Sequence, residues 1–321
     1  MKKIKPVNTN SIPSVENVLA YFAATEQNGI ILGQHTQTRQ QEELSYIHAL
    51  TGKLPALCGF ELLAYSPNID IDKYDDPHCI EEIKANRNTL EQAYKWAEQR
   101  GLITFTWHWF SPLYGKNKSF YEFNTEFDAR RAVIDGTPEN IALLSDMDKM
   151  AEHLSVFRDK GIPILWRPFH EPEGDWFWWG VHGADVARQL YLIMFDRYVN
   201  LHNLNNLIWV WNSPVVEYYV GDKYCDIISR DIYPAAHEHT DLSKHYSELS
   251  EITKTPKLSA IGEIGSIPSI RTLFETRIPW LWYMTWSGEF VLTEKWTNND
   301  ELICAYNHEY SITLDKLPRL Y

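Results

Sequence analysis

Eight short runs rich in β-branched, aromatic and aliphatic residues recur along the chain, each with the length and composition of a strand buried on both faces. They are GIILGQH from Gly29, LPALCGFEL from Leu54, LITFTWHWF from Leu102, IPILWRPFHE from Ile162, LIWVWN from Leu207, DIISRDIYP from Asp226, KLSAIGEIG from Lys257 and WLWYMTWSGEF from Trp280. Helical patterns fill most of the intervals, clearest in 78–100, 138–160 and 183–203, with further candidates at 40–52, 241–254 and 268–277 and a short one around 214–221. Thr137-Pro138-Glu139 supplies a cap, an N1 proline and an early acid to one helix, and Gln99-Arg100-Gly101 ends another on a basic residue and a glycine. Strand alternating with helix eight times predicts an α/β fold, a (β/α)8 barrel.

A chain of 321 residues suits one such barrel. No repeat, low-complexity tract or Pro/Gly/Ser-rich linker divides it, so a single catalytic domain over 1–321 is expected, acting as a monomer. The stretch 111–137 is the longest connection without a pattern, and a loop of that length following strand three is expected to serve the active face. A net charge of −13 opposes binding to nucleic acid or an anionic membrane, and no apolar run is long enough to span a bilayer. Behind the basic start Met1-Lys2-Lys3 there is no apolar segment of a secretory leader. The chain therefore reads as cytoplasmic, or as a secreted protein whose leader was removed. Cys58, Cys79, Cys225 and Cys304 form no C-x-x-C pair and read as free thiols.

In a barrel of this kind catalytic groups sit where strands end at the carboxyl face. Polar residues collect there: Gln34, His35, Glu61, His108, His170, Glu171, Asn212, Tyr233, Glu263, Trp286 and Glu289. Glu171 ends strand four and Glu263 ends strand seven, so their carboxyls can converge across the mouth. Two carboxyls facing one bond are what glycoside hydrolysis requires, one protonated to release the leaving group and one ionised to attack the anomeric carbon. A structural ion pair with Arg167 or Arg230 explains either acid alone about as well. It explains the two together, beside aromatics, less well. Alternation along strand four places Arg167, Phe169 and Glu171 on the interior side, so that Arg167 lies under the acids and keeps the nearer one ionised. The 13 tryptophans include Trp176, Trp178 and Trp179 in one glycine-bearing loop, an aromatic wall suited to stacking on sugar rings, with Trp176 the expected contact and at least one of the others a loop anchor.

WRPFHEPEGDWFWWG together with AIGEIG resembles glycoside hydrolase family 26, of the clan of retaining (β/α)8 enzymes, and the likeness extends to TFTWHWF, DIYP and MTWSGE. The resemblance implies that Glu171 is the acid/base and Glu263 the nucleophile. It further implies that Tyr233 positions the nucleophile, that His170 and His108 contact the sugar at the cleavage point, and that Trp286 forms its floor. Most members cleave β-1,4-mannan, while some act on mixed-linkage β-glucan or β-1,3-xylan. The expected substrates are thus mannan, glucomannan or manno-oligosaccharides, in endo or exo mode, with no cofactor and no metal. A metal-dependent hydrolase using His35, His108 and His170 lacks a complete ligand set, because strand five ends in Asn212 and strand six in Tyr233. A non-catalytic sugar-binding barrel would have no need of both glutamates.

Overall fold

The computed structural model describes residues 4–37, 41–67, 69–113, 115 and 117–321. All eight expected strands form: β1 (Ile30–Thr36), β2 (Leu57–Glu61), β3 (Leu102–Thr106), β4 (Ile164–Arg167), β5 (Leu207–Asn212), β6 (Ile227–Ile232), β7 (Leu258–Ile264) and β8 (Trp280–Thr285). They pair in parallel in sequence order, and β1 closes the ring by pairing with both β2 and β8, Gly33 standing opposite Leu57 on one side and Met284 on the other. A two-residue strand, β9 (Ser311–Ile312), adds to β1 outside the ring.

The helices are α1 (Pro13–Thr25), α2 (Glu42–Thr51), α3 (Pro77–Ala85), α4 (Thr89–Glu98), α5 (Ala129–Ala132), α6 (Pro138–Asp159), α7 (Ala184–Asp196), α8 (Ser243–Ser250), α9 (Ile270–Thr276), α10 (Glu289–Leu292) and α11 (Asn299–Asn307). α6 starts as its sequence predicts, with the Thr137 hydroxyl accepting from the Asn140 N–H and Pro138 in the first turn. The pattern over 78–100 is two helices, not one. Asn88 takes the left-handed conformation (φ 65°), and the Thr89 hydroxyl donates to the Asn86 carbonyl, a local hydrogen bond that competes with helix propagation. The short pattern at 214–221 is a single 3₁₀ turn, Val216–Tyr218. All four cysteines are free thiols. Among the described residues, no helix is long and apolar enough to cross a membrane.

Four helices lie outside the sequence expectation, α1, α11 and the four-residue α5 and α10, of which α5 falls within the stretch 111–137. α11 completes the last β/α unit, with the Asn298 side chain accepting from the Glu301 N–H. α1 precedes the first strand and packs on the amino-terminal end of the barrel. Its Val15, Val18, Leu19 and Phe22, one face at helical spacing, are buried in a cluster with Ile31, Leu57, Leu102, Leu165, Ile208, Ile227, Leu258 and Leu281. A second, larger core fills the space between the sheet and the surrounding helices. The lower mouth is thereby sealed, and polar chemistry is confined to the upper one.

Candidate active site

β4 delivers Arg167 as its last residue, fully buried, and Trp166 points the other way, against Tyr198. Alternation stops there. Phe169 (φ 50°) and Glu171 (φ 49°) are both left-handed, so Glu171 reaches the mouth through two backbone reversals rather than by continuing an extended strand. This corrects the expectation that Arg167, Phe169 and Glu171 share one strand face. Strain of this kind persists only where surrounding structure holds it. Here the Glu171 N–H donates to the Asn212 side-chain oxygen at 3.1 Å, and the Trp179 indole N–H donates to the His170 carbonyl at 2.9 Å.

Glu263, on β7, lies in register with Asp231 on β6, just past a register shift between Arg230 and Asp231. A bulge re-aims side chains, and this one sends Asp231 inward. Arg167 ties the two acids together, donating from Nη2 to Glu263 Oε1 at 2.5 Å and from Nη1 to Asp231 Oδ2 at 3.0 Å, while its Nη2 also donates to the Thr106 hydroxyl at 2.8 Å. Gly262 makes room for the cluster: a Cβ there would stand 2.5 Å from Asp231 Oδ1 and 2.6 Å from Asn212 Nδ2. Arg230, the other candidate ion-pair partner, turns outward to Glu248. The Tyr233 hydroxyl donates to Glu263 Oε2 at 2.7 Å; the ring is 45% exposed, but its tip is enclosed by the acids. Glu263 therefore has a cation on one oxygen and a phenol on the other.

Glu171 is differently placed. Acids outnumber the single guanidinium around it, and its Oε2 accepts a hydrogen bond from the Trp176 indole N–H at 3.1 Å. Burial, then the charges of Asp231 and Glu263, push its pKa up to about 9 against the pull of Arg167. Asp231 is also pushed up, to about 7, by burial and then by Glu263, because one guanidinium must serve both acids. One carboxyl oxygen from each of Glu171, Asp231 and Glu263 falls within 4.8 Å of the others. Such a triad has the donors for a cation, but Arg167 already neutralises two of its members.

His108 Nδ1 lies 2.6 Å from Glu61 Oε2, and its Nε2 lies 3.0 Å from Nε2 of His170. Burial opposes protonation of His108, yet the Glu61 carboxylate prevails and raises its pKa. His170 is driven well below its ordinary value by burial and then by the charges of His108 and Arg167. The Glu61 carboxylate thus favours a proton on His108 Nδ1, while His170, held neutral, shares one proton with His108 between the two facing Nε2 atoms. Trp286 stacks on His35 at 4.1 Å and faces His108 edge-on at 6.0 Å.

Of the loop tryptophans only Trp176 faces solvent, 43% exposed. Trp178 and Trp179 are buried anchors, the former donating its N–H to the Trp109 carbonyl. Gly174 permits the Trp176 pose, since a Cβ there would meet the indole at 2.3 Å. The structure thus brings Glu171, Glu263, Arg167, Tyr233, His108, His170, Trp176 and Trp286 to one mouth, and leaves Glu289 at the rim, paired with Lys295. Sequence reasoning missed Asp231 as a site residue, although it stands two positions before Tyr233. It also left Glu61 and Asn212 without roles; they hold His108 and Glu171.

The sequence profile of glycosyl hydrolase family 26 matches residues 7–316. A mannan endo-1,4-beta-mannosidase of Thermothelomyces thermophilus is 35% identical over 318 residues, covering 97% of this chain and 62% of the relative. Mannan endo-1,4-beta-mannosidase A of Piromyces sp is 30% identical, over 98% of this chain and 51% of the relative. The chain thus spans between half and two thirds of the length of these relatives. Among solved structures, a Podospora anserina GH26-CBM35 β-(1,4)-mannanase superposes with a TM-score of 0.88 at 31% identity, covering 98% of this chain and 68% of that one. A β-mannanase from a symbiotic protist of the termite Reticulitermes speratus, complexed with gluco-manno-oligosaccharide, gives 0.86 at 29% identity, covering 98% and 97%. With the profile matched from end to end of the barrel, the chain belongs to glycosyl hydrolase family 26.

Proposed function

We propose that the chain is a retaining endo-β-1,4-mannanase that cleaves mannan, glucomannan or manno-oligosaccharides. The observation that carries this reading is the unequal surroundings of two carboxyls whose oxygens approach within 4.8 Å. Retaining enzymes hold their pair about 5 Å apart, because the nucleophile must touch the anomeric carbon with no water between, whereas inverting enzymes need about 6.5–9.5 Å. Glu263, gripped by Arg167 and Tyr233, is the ionised nucleophile; Glu171, half-buried among acids, keeps its proton for the glycosidic oxygen.

In the first step Glu263 attacks the anomeric carbon while Glu171 protonates the departing oxygen. Esterification removes the Glu263 charge, so Glu171 becomes a stronger acid and its carboxylate takes a proton from the incoming water. His108, His170 and Trp286 enclose the sugar at the cleavage point, and Trp176 stacks on its neighbour. Both carboxyls come from one chain, so a monomer suffices. Mannan as substrate rests on the names of the relatives and on the oligosaccharide bound in the protist enzyme. The test is product analysis on mannan, glucomannan, lichenan and xylan, with the anomer followed by NMR. Mannan products first released in the β-configuration support the reading; α-anomers overturn the retaining mechanism, and cleavage of lichenan or xylan alone overturns the substrate.

A further inference from the structure

The carboxyl face carries an aromatic ledge that the reaction above does not use. Tyr121 is 38% and Phe123 72% exposed, and their rings lie nearly parallel, 5.1 Å apart with 16° between planes. Single exposed apolar residues need no explanation, but a stacked pair joined to an active site does. The ledge is fixed to the Glu171 loop. Tyr121 forms an antiparallel bridge with Phe177, the Glu122 N–H donates to the Trp176 carbonyl at 2.8 Å, and the Trp178 N–H donates to the Phe120 carbonyl at 3.2 Å. A continuous run of rings leads outward from the catalytic mouth, His108 to Phe177 at 5.5 Å, Phe177 to Tyr121 at 6.0 Å, and Tyr121 to Phe123. Burial, then the charges of Glu82 and Glu171, raise the Tyr121 pKa. Flat aromatic surface leading out of a polar mouth is what receives a pyranose, C–H face on the ring.

We propose that Tyr121 and Phe123 form a distal sugar platform, binding a unit of the same polysaccharide beyond the units on either side of the scissile bond. The proposal rests on the reading of the chain as a mannanase. The occupant is the substrate itself, because the ledge is continuous with the groove that holds Glu171.

The experiment compares kcat/KM of wild type, Tyr121→Ala, Phe123→Ala and Phe123→Trp on manno-oligosaccharides of increasing length, an aryl β-mannobioside and mannan. Stacking of about 0.5–1.5 kcal/mol corresponds to a loss of roughly two- to tenfold per ring. That loss is expected on the long substrates and on mannan, is absent on the aryl mannobioside, and is reversed in Phe123→Trp. Equal losses at every length, or none at any, overturn the platform. So does a change in elution volume on size exclusion in the alanine variants, which would make the ledge an interface between copies. A wild type inactive on every mannan substrate defeats the underlying reading instead, whereas an active wild type indifferent to both rings defeats the platform alone.

Discussion

The two mouths of the barrel are built from the same eight strands and filled in opposite ways. At the amino-terminal mouth α1 lays Val15, Val18, Leu19 and Phe22 on strand residues that are themselves apolar, and Phe22 meets Trp282 at 6.0 Å. At the carboxyl mouth three acids gather within 4.8 Å over one buried guanidinium. Burying apolar surface stabilises by about 25 cal/mol per Å² removed from water, whereas a buried charge is tolerated only with a partner. One arginine for three acids is incomplete neutralisation, and the shortfall appears as a proton retained on Glu171. The lower mouth holds the fold, and the upper one stores an electrostatic imbalance that the reaction discharges.

The largest effect that would break this division is at Glu263. Glu263→Ala removes the group proposed to form the glycosyl ester, so turnover should fall on the roughly 10⁶-fold scale on which enzymes lose a nucleophile. Circular dichroism should remain that of the wild type. Retention of substantial activity on any substrate would remove Glu263 from the reaction.

Glu171→Ala should cost on the order of 10²–10⁴-fold on mannan, the range for a lost general acid. On aryl mannosides with an activated phenol the first step should be spared, because such a group leaves without protonation. Equal losses on both substrates would show that Glu171 is not the acid.

At the other mouth, Phe22→Ala should lower stability by about 3–5 kcal/mol, read from denaturant unfolding, through lost burial and a cavity under the strands. Turnover per folded molecule should be unchanged. A fall in kcat with unchanged stability would erase the distinction between the two ends.

The barrel was legible because strand burial on two faces leaves a run of apolar residues that no surface element imitates, and all eight runs became strands. α1 was not, even though Pro13 and the spacing of Val15, Val18, Leu19 and Phe22 carry the signal. A helix before the first strand lies outside the β/α alternation that organised the reading. Glu171 and Glu263 were legible as acids at strand ends. Asp231 was not, because its inward aim depends on the register shift at Arg230/Asp231, a feature of pairing that no single strand displays. Phe169 shows the same limit: alternation assumes extended backbone, and two left-handed residues ended it.

The smallest effect, and the one that most sharpens the contrast, is the titration of Glu171. Its pKa of about 9 lies above the ordinary value of 4.5, so between those limits the folded protein holds a proton that the unfolded chain has released. Stability from this residue is therefore greatest below about pH 4.5 and falls as pH rises towards 9. Glu171→Gln should flatten that part of the stability–pH curve. In the enzyme, the alkaline limb of the kcat/KM profile should follow the same proton. After burial, the charge of Asp231 acts on Glu171 ahead of that of Glu263. Glu263→Gln and Asp231→Asn should then each lower the Glu171 pKa measured by carboxyl-selective NMR, Asp231→Asn by at least as much. Either substitution also leaves Arg167 with less negative charge to offset, which favours the Glu171 carboxylate and acts in the same direction. A Glu171 pKa that stays put in both variants would mean that burial alone holds the proton. The nucleophile's loss of charge would then give Glu171 no signal to change from acid to base.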